Sequence, residues 1–171
     1  MIDLGRKPLN KKIVLLVVFS LALPLLLPLA KTQAVMVELS LEQLVNKADL
    51  IVVGTVESLK SELVRGKISS FATILVSATI KGSLEQGQDK IVVGFPGGTV
   101  GDVGMRAENS PDFEKDEEVV VFLKKVQGES HFMTVGASQG KFVVRDNVIV
   151  RENLSLDQFI GKVEEIMALH N

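Results

Sequence analysis

Over residues 69–80 the apolar side chains fall on every second position, with Ala72, Ile74, Val76, Ala78 and Ile80 on one side and Thr73, Leu75, Ser77 and Thr79 on the other. A period of two sets these groups on opposite faces of an extended strand, and one of those faces has to be covered. The chain is therefore a sheet builder. Residues 50–59, 91–95, 118–124, 131–137 and 141–145 carry the strand signature too, with Val119, Val121 and Leu123 alternating against Val120 and Phe122. Gly54 interrupts the first of these, which predicts a bulge, a bend or the close approach of another backbone. Asp146-Asn147, between Val143-Val144 and Val148-Ile149-Val150, reads as a tight hairpin turn.

Helical periodicity brackets this β-rich stretch. Ser40 and Gln43 have the spacing of a capping box, and Leu41, Leu44, Val45 and Ala48 follow on one face of a helix over about 40–48. Ser155 and Gln158 repeat the signature before a helix over about 155–169, with Phe159, Ile160, Val163, Ile166 and Met167 as its apolar stripe. The two starts share Leu, Ser, Leu, Gln and Lys at matching positions, but the sequences that follow do not resemble each other, so one capping solution is used twice. Short strands with turn signals between two short helices predict a mainly β fold, a small antiparallel barrel of about five to seven strands. A sandwich is the alternative. Residues 97–116 form the one long segment without periodicity, and such segments are often either functional or mobile.

The chain has 171 residues, and the first 34 are unlike the rest. Arg6, Lys7, Lys11 and Lys12 precede an apolar run over 13–29, and Thr32 and Ala34 supply small residues for cleavage after Ala34. That order is the secretory pattern, so the predicted organisation is a signal peptide at 1–34 and one domain at 35–171. The alternative is an uncleaved anchor, since 17 apolar residues are near the lower limit for a span; Pro24 and Pro28 oppose it by interrupting a helix. Export is expected either way, to the extracellular space or the cell envelope. Without residues 1–34 the chain keeps 14 basic and 20 acidic side chains, a net charge of −6. No Lys/Arg run offsets that charge along the sequence, so nucleic acid is excluded as a partner and a membrane is expected only through an uncleaved N-terminal segment. The absence of cysteine excludes disulfides, thiol nucleophiles and cysteine metal sites.

Ala48-Asp49-Leu50-Ile51-Val52-Val53-Gly54-Thr55-Val56, a β-rich strand ending in Ile80-Lys81-Gly82, and residues 113–123 from Phe113 through Glu117 to Leu123 resemble, in that order, the elements of tissue inhibitor of metalloproteinases and netrin-like domains. The chain also resembles a group of uncharacterised exported proteins of bacteria and archaea that share Pro96-Gly97-Gly98-Thr99 and a Gly136, Gly140-Lys141-Phe142 pattern. The resemblance covers about residues 39–145 and implies a five-stranded OB-like barrel with flanking helices. It does not imply the inhibitors' mechanism, which needs an N-terminal cysteine on the protease zinc. Here cleavage would leave Val35-Met36-Val37. Asp116 stands where the pattern favours glycine.

Few residues can carry chemistry. His131 is the central histidine, beside Glu129 and Ser130, and a Ser-His-Asp arrangement would have to use it; no G-x-S-x-G accompanies it. A half-exposed strand or loop histidine is the simpler reading, and His170 reads as a frayed helix end. The glycine-dense stretch from Pro96 to Gly104 lacks the G-K-[ST] ending of a phosphate loop, and turns at positive φ explain it. Asp102, Glu108 and Asp112, with Glu114, Asp116, Glu117 and Glu118, gather acidic groups around it without the spacing of a calcium loop, so a solvated acidic surface is expected. No cofactor or metal is expected, Asp102, Glu108 and Asp112 being the sole metal candidates.

The functional expectation is an exported, non-enzymatic interaction module. Its partner would be a protein, peptide or envelope glycan, met by an exposed barrel face or by Gly97, Gly98, Thr99, Asp102, Arg106, Glu108 and Asp112 of the 97–116 segment. Missing Tyr and Trp weakens the glycan version. A small hydrolase or metal-assisted enzyme using His131 and a structural, membrane-anchored envelope component are the alternatives.

Overall fold

The computed structural model describes residues 37–169. The expected signal or anchor segment and its cleavage point, and also His170, lie outside the described residues. Among those residues the fold is mainly β, with helices α1 (Leu41–Lys47) and α2 (Leu156–Leu169). Its strands are β1 (Leu50–Val64), β2 (Lys67–Lys81), β3 (Lys90–Pro96), β4 (Gly98–Val100), β5 (Val103–Met105), β6 (Glu118–Lys125), β7 (Phe132–Thr134), β8 (Lys141–Arg145), β9 (Val148–Ile149) and β10 (Leu154–Ser155).

Eight strands form one sheet in the order β1-β2-β3-β7-β6-β8-β9-β10, while β4 and β5 pair apart as a small hairpin. β1 also pairs with β6 through residues 50–55, so β1, β2, β3, β7 and β6 close a ring. The ring's five strands fall within the expected five to seven, although the sheet that contains them has eight, and the expectation of an all-antiparallel arrangement is corrected. An odd number of strands cannot alternate direction around a ring, so one neighbouring pair must run parallel. That pair is β3–β7, joined at Val93 and Phe132. The strand expected over 131–137 is also shorter: β7 ends at Thr134, and a 3-10 turn over Ala137–Gly140 leads into β8.

Both faces are buried over residues 50–56 of β1 and 119–123 of β6, which is why these stretches read as apolar runs. Leu50, Val52 and Val56 pack inside the ring with Ala72, Ile74, Ile91, Val93, Val119, Val121 and Leu123. Ile51, Val53, Val120 and Phe122 face the other way and are covered by Leu44, Val45 and Ala48 at α1 and by Phe159 and Val163 of α2. Phe159 is wholly buried, with ring centroids 4.8 Å from Phe142 and 6.3 Å from Phe122. Both capping boxes are formed: the Gln43 and Gln158 amides donate to Ser40 Oγ and Ser155 Oγ, and each glutamine side-chain oxygen accepts from its serine amide.

The β1–β2 hairpin reaches beyond the ring. Arg65 and Gly66 sit at φ 50° and 79° between Val64 and Lys67, the positive-φ pair of a type I′ turn, and β1 runs on to Val64 past its expected end at 59 while β2 starts at Lys67 ahead of its expected start at 69. β1 parts from β6 after Thr55, next to register slips at Val53/Gly54 and Val56/Ser58. Gly54 permits the bend, because a Cβ there would overlap the Leu75 carbonyl oxygen of β2. Asp146 and Asn147, at φ 50° and 62°, make the expected tight turn between β8 and β9.

Candidate functional site

The 97–116 segment is a built part of the fold, not a long irregular loop. Pro96 ends β3, and Gly97 and Gly98 follow at φ 100° and 120°, conformations that side chains rarely adopt. The Gly97 amide donates to Ile68 O, and Ser70 Oγ donates to Gly97 O at 2.6 Å. Ser70 is buried and its hydroxyl lies 2.7 Å from Ser61 Oγ. A Cβ on Gly98 would collide with both hydroxyls. The β4–β5 hairpin is thus pressed onto the β1–β2 arm by contacts that need glycine. Further on, Ser110 Oγ donates to Pro96 O, and Phe113 enters the ring core 5.3 Å from Phe95. Asp116 and Glu117 exchange backbone hydrogen bonds with Val56.

The acidic groups around this segment are not all solvated. Glu117 and Lys141 of β8 form an ion pair whose side chains are 11% and 8% exposed. Lys141 Nζ also donates to Asp112 O and lies 4.9 Å from the centre of the Phe113 ring. Among the described residues, no group of three or more His, Asp or Glu is placed to hold a metal ion.

Of the expected contact residues, Gly97, Gly98, Arg106 and Asp112 come together. They line a cleft of about 290 Å³ with Phe95, Pro96, Met105, Ala107, Ser110 and Pro111. Thr99 is opposite Gly104 in the small hairpin, Asp102 lies in its turn, and Glu108 is exposed; none of the three lines that cleft.

His131 ends the loop between β6 and β7. Its ring meets Phe71 edge-on, with centroids 5.3 Å apart at 83°, and lies so close to Gly94 that a Cβ there would be 2.6 Å from its Cδ2. It lines a second cleft, of about 490 Å³, with Val64, Ser69, Phe71, Gly94, Phe95, Pro96, Met133 and the carboxylates Glu62 and Glu129. A third cleft of about 350 Å³ opens on its other side, toward Leu84, Gln88 and Lys125. Glu129 and Ser130 share both clefts with His131, and Phe71 is the ring's partner in the structure. Phe95 and Pro96 line both the 290 and the 490 Å³ clefts, so the two adjoin along that ridge.

Val64, Phe71 and Met133, with Glu62, Ser69 and Gly94, are among the site residues that the sequence pattern does not single out. The signal that could have found Val64 is Arg65-Gly66 between two alternating segments, which places it at the tip of an arm. Lys47, far away in sequence, joins the neighbours Lys124 and Lys125 in lining one pocket of about 520 Å³, a local gathering of basic residues in a domain that remains net acidic. No helix among the described residues is long and apolar enough to cross a membrane. No model of a known protein family matches the chain, and no curated protein matches it either.

Proposed function

We propose that this chain is an exported, non-enzymatic interaction module on an OB-like barrel, and that it binds a peptide segment of a partner protein across the Phe95–Pro96 ridge. Around the ring the strands run first, second, third, fifth and fourth in chain order, which supports the OB-like reading and its kinship with the netrin-like domains. OB folds bind across strands two and three, between the first hairpin turn and the loop joining strands four and five. The 490 Å³ cleft occupies the same place here: Ser69 and Phe71 of β2, Gly94 to Pro96 of β3, Val64 beside the β1–β2 turn, and Glu129 to His131 before β7. That coincidence carries the reading, and it is an analogy of fold applied to a real cleft.

The lining selects the occupant. Val64, Phe71, Phe95 and Met133 offer apolar contact, while Glu62 and Glu129 supply negative charge in a domain of net charge −6. An apolar side chain flanked by lysine or arginine fits that combination, and a nucleic acid backbone is repelled by it. Selection from a displayed peptide library should enrich such sequences. Val64→Asp should abolish their binding, and Val150→Asp, at another exposed apolar position, should leave it intact. No enrichment, or undiminished binding by Val64→Asp, overturns the assignment.

The presence of Glu129, Ser130 and His131 on the same two clefts favours a hydrolase as the second reading. A broad hydrolase screen of the protein against its His131→Ala variant separates the two: activity lost in the variant establishes the enzyme. Mass spectrometry of the native N-terminus decides between a cleaved signal and the anchored structural component.

A further inference from the structure

We propose that the pocket between the end of α1 and the β6–β7 hairpin binds one molecule of an anionic amphiphile, a phosphate or carboxylate head on an alkyl chain. The pocket has a volume of about 520 Å³, in the range of small-molecule sites, and is lined by Lys47, Lys124, Lys125, Val126, Gln127, Met133, Thr134, Val135 and Gly136. Among the described residues, three lysines and no carboxylate line it, in a domain where acidic residues outnumber basic ones by 20 to 14. Among the described residues the three ammonium groups take no part in the ion pairs, which use Lys60, Lys90, Lys141 and Arg151 instead. Asp49 adjoins the pocket, but its Oδ2 is engaged by the Lys125 backbone amide.

Fold geometry explains the convergence. Lys47 closes the last turn of α1, where a cation suits the helix end. Lys124 lies directly opposite Met133 in the β6–β7 pairing, so the end of β6 delivers its ammonium group beside an apolar side chain, while Lys125, opposite Phe132, belongs to the other face of the strand and borders the pocket from there. Met133 is 44% exposed, and Val126 and Val135 extend the apolar surface. A bare anion would satisfy the lysines and leave that surface wet, whereas a chain attached to the anion covers both. An acidic peptide would find Gln127 and Thr134 as the only uncharged polar side chains. The head therefore sits among the lysines, and the tail runs over Met133. Met133 also lines the 490 Å³ cleft, so Lys47 and Lys124, which that cleft lacks, separate this pocket from the peptide-binding reading: Val64→Asp should leave decyl phosphate binding intact.

The test is a titration of the protein, as recovered from an exporting host, with decyl phosphate below its micelle concentration, followed through the methionine methyl signals in NMR. The Met133 methyl should shift while those of Met105 and Met167 do not, and decyltrimethylammonium should have no effect. Inorganic phosphate should bind at least about tenfold more weakly, and Lys47→Gln/Lys124→Gln should weaken decyl phosphate by about tenfold with an unchanged melting temperature. Met133→Gln should weaken it as well. Equal affinity for inorganic phosphate, an unmoved Met133 methyl, or full binding by the double lysine variant overturns the proposal. Attachment to phosphatidylglycerol vesicles without monomer binding overturns it in favour of surface adsorption, and tighter binding of a Glu/Asp-rich peptide at the same methyl overturns it in favour of a protein partner.

Discussion

Replacing Lys141 with methionine removes the cation that ties the 112–117 stretch to β8. Its ammonium meets the Glu117 carboxylate, the Asp112 carbonyl and the Phe113 ring in a place where both charged side chains are about nine-tenths buried. Taking away one partner of a buried pair strands the other charge and costs about 3–5 kcal/mol. Both side chains keep some solvent contact and Glu117 can turn outward, so the lower end applies, about 3 kcal/mol. With an unfolding entropy of about 2.1 cal/mol/K per residue over roughly 130 residues, each kcal/mol lowers the melting temperature by about 3.6 °C. Lys141→Met should therefore melt about 10 °C lower, as followed by far-UV circular dichroism. Lys141→Met/Glu117→Leu removes both charges and should recover to within about 1 kcal/mol of the parent, because an apolar pair can replace a buried ion pair at little net cost. A single-variant drop below about 3 °C, or losses that merely add in the double variant, would refute the idea that this buried pair holds the segment.

Three further outcomes follow from the packing. Gly98→Ala should lower stability by more than about 2 kcal/mol, since its Cβ meets two hydroxyls at a φ of 120°; a denaturant midpoint equal to the parent's would contradict the tight seating of the β4–β5 hairpin. Phe159→Ala empties the centre of the core beneath α2 and should cost about 3–5 kcal/mol in urea titration, and a loss under about 1 kcal/mol would mean that α2 is not docked as described. Lys90 is held charged above its usual 10.5 by its hydrogen bond to Glu57, so the pair's contribution is complete below that pH and is lost as pH rises through the folded-state value. Lys90→Gln should differ slightly from the parent at neutral pH and converge with it in strong alkali; a gap that widens there would reverse the assignment.

How much could be read in advance depended on how local the signal was. The capping boxes at Ser40 and Ser155, the Asp146-Asn147 turn and the bend at Gly54 are set by neighbours in sequence, and each took its expected form. The Arg65-Gly66 turn escaped notice because arginine is not a residue that ordinarily accepts positive φ. Its omission hid the tip of the arm, and with it Val64. The parallel β3–β7 pair depends on the number of strands in the ring, which no single strand encodes. The Lys141–Glu117 pair joins residues 24 apart, and the lysine pocket joins α1 to β6, so charge along the chain gave no sign of either. Gly97 and Gly98 were legible as turn glycines, whereas the buried Ser61–Ser70 pair that requires them was not.

The proposed partner face stands or falls on a footprint. A peptide carrying an apolar residue beside lysine or arginine, taken from library selection and added to isotope-labelled protein, should shift the amides of residues 62–71, 94–95 and 129–133 and leave those of α2 in place. Shifts confined to the Gly101-Asp102 turn and Glu108, or to α2, would contradict a binding face at the Phe95–Pro96 ridge.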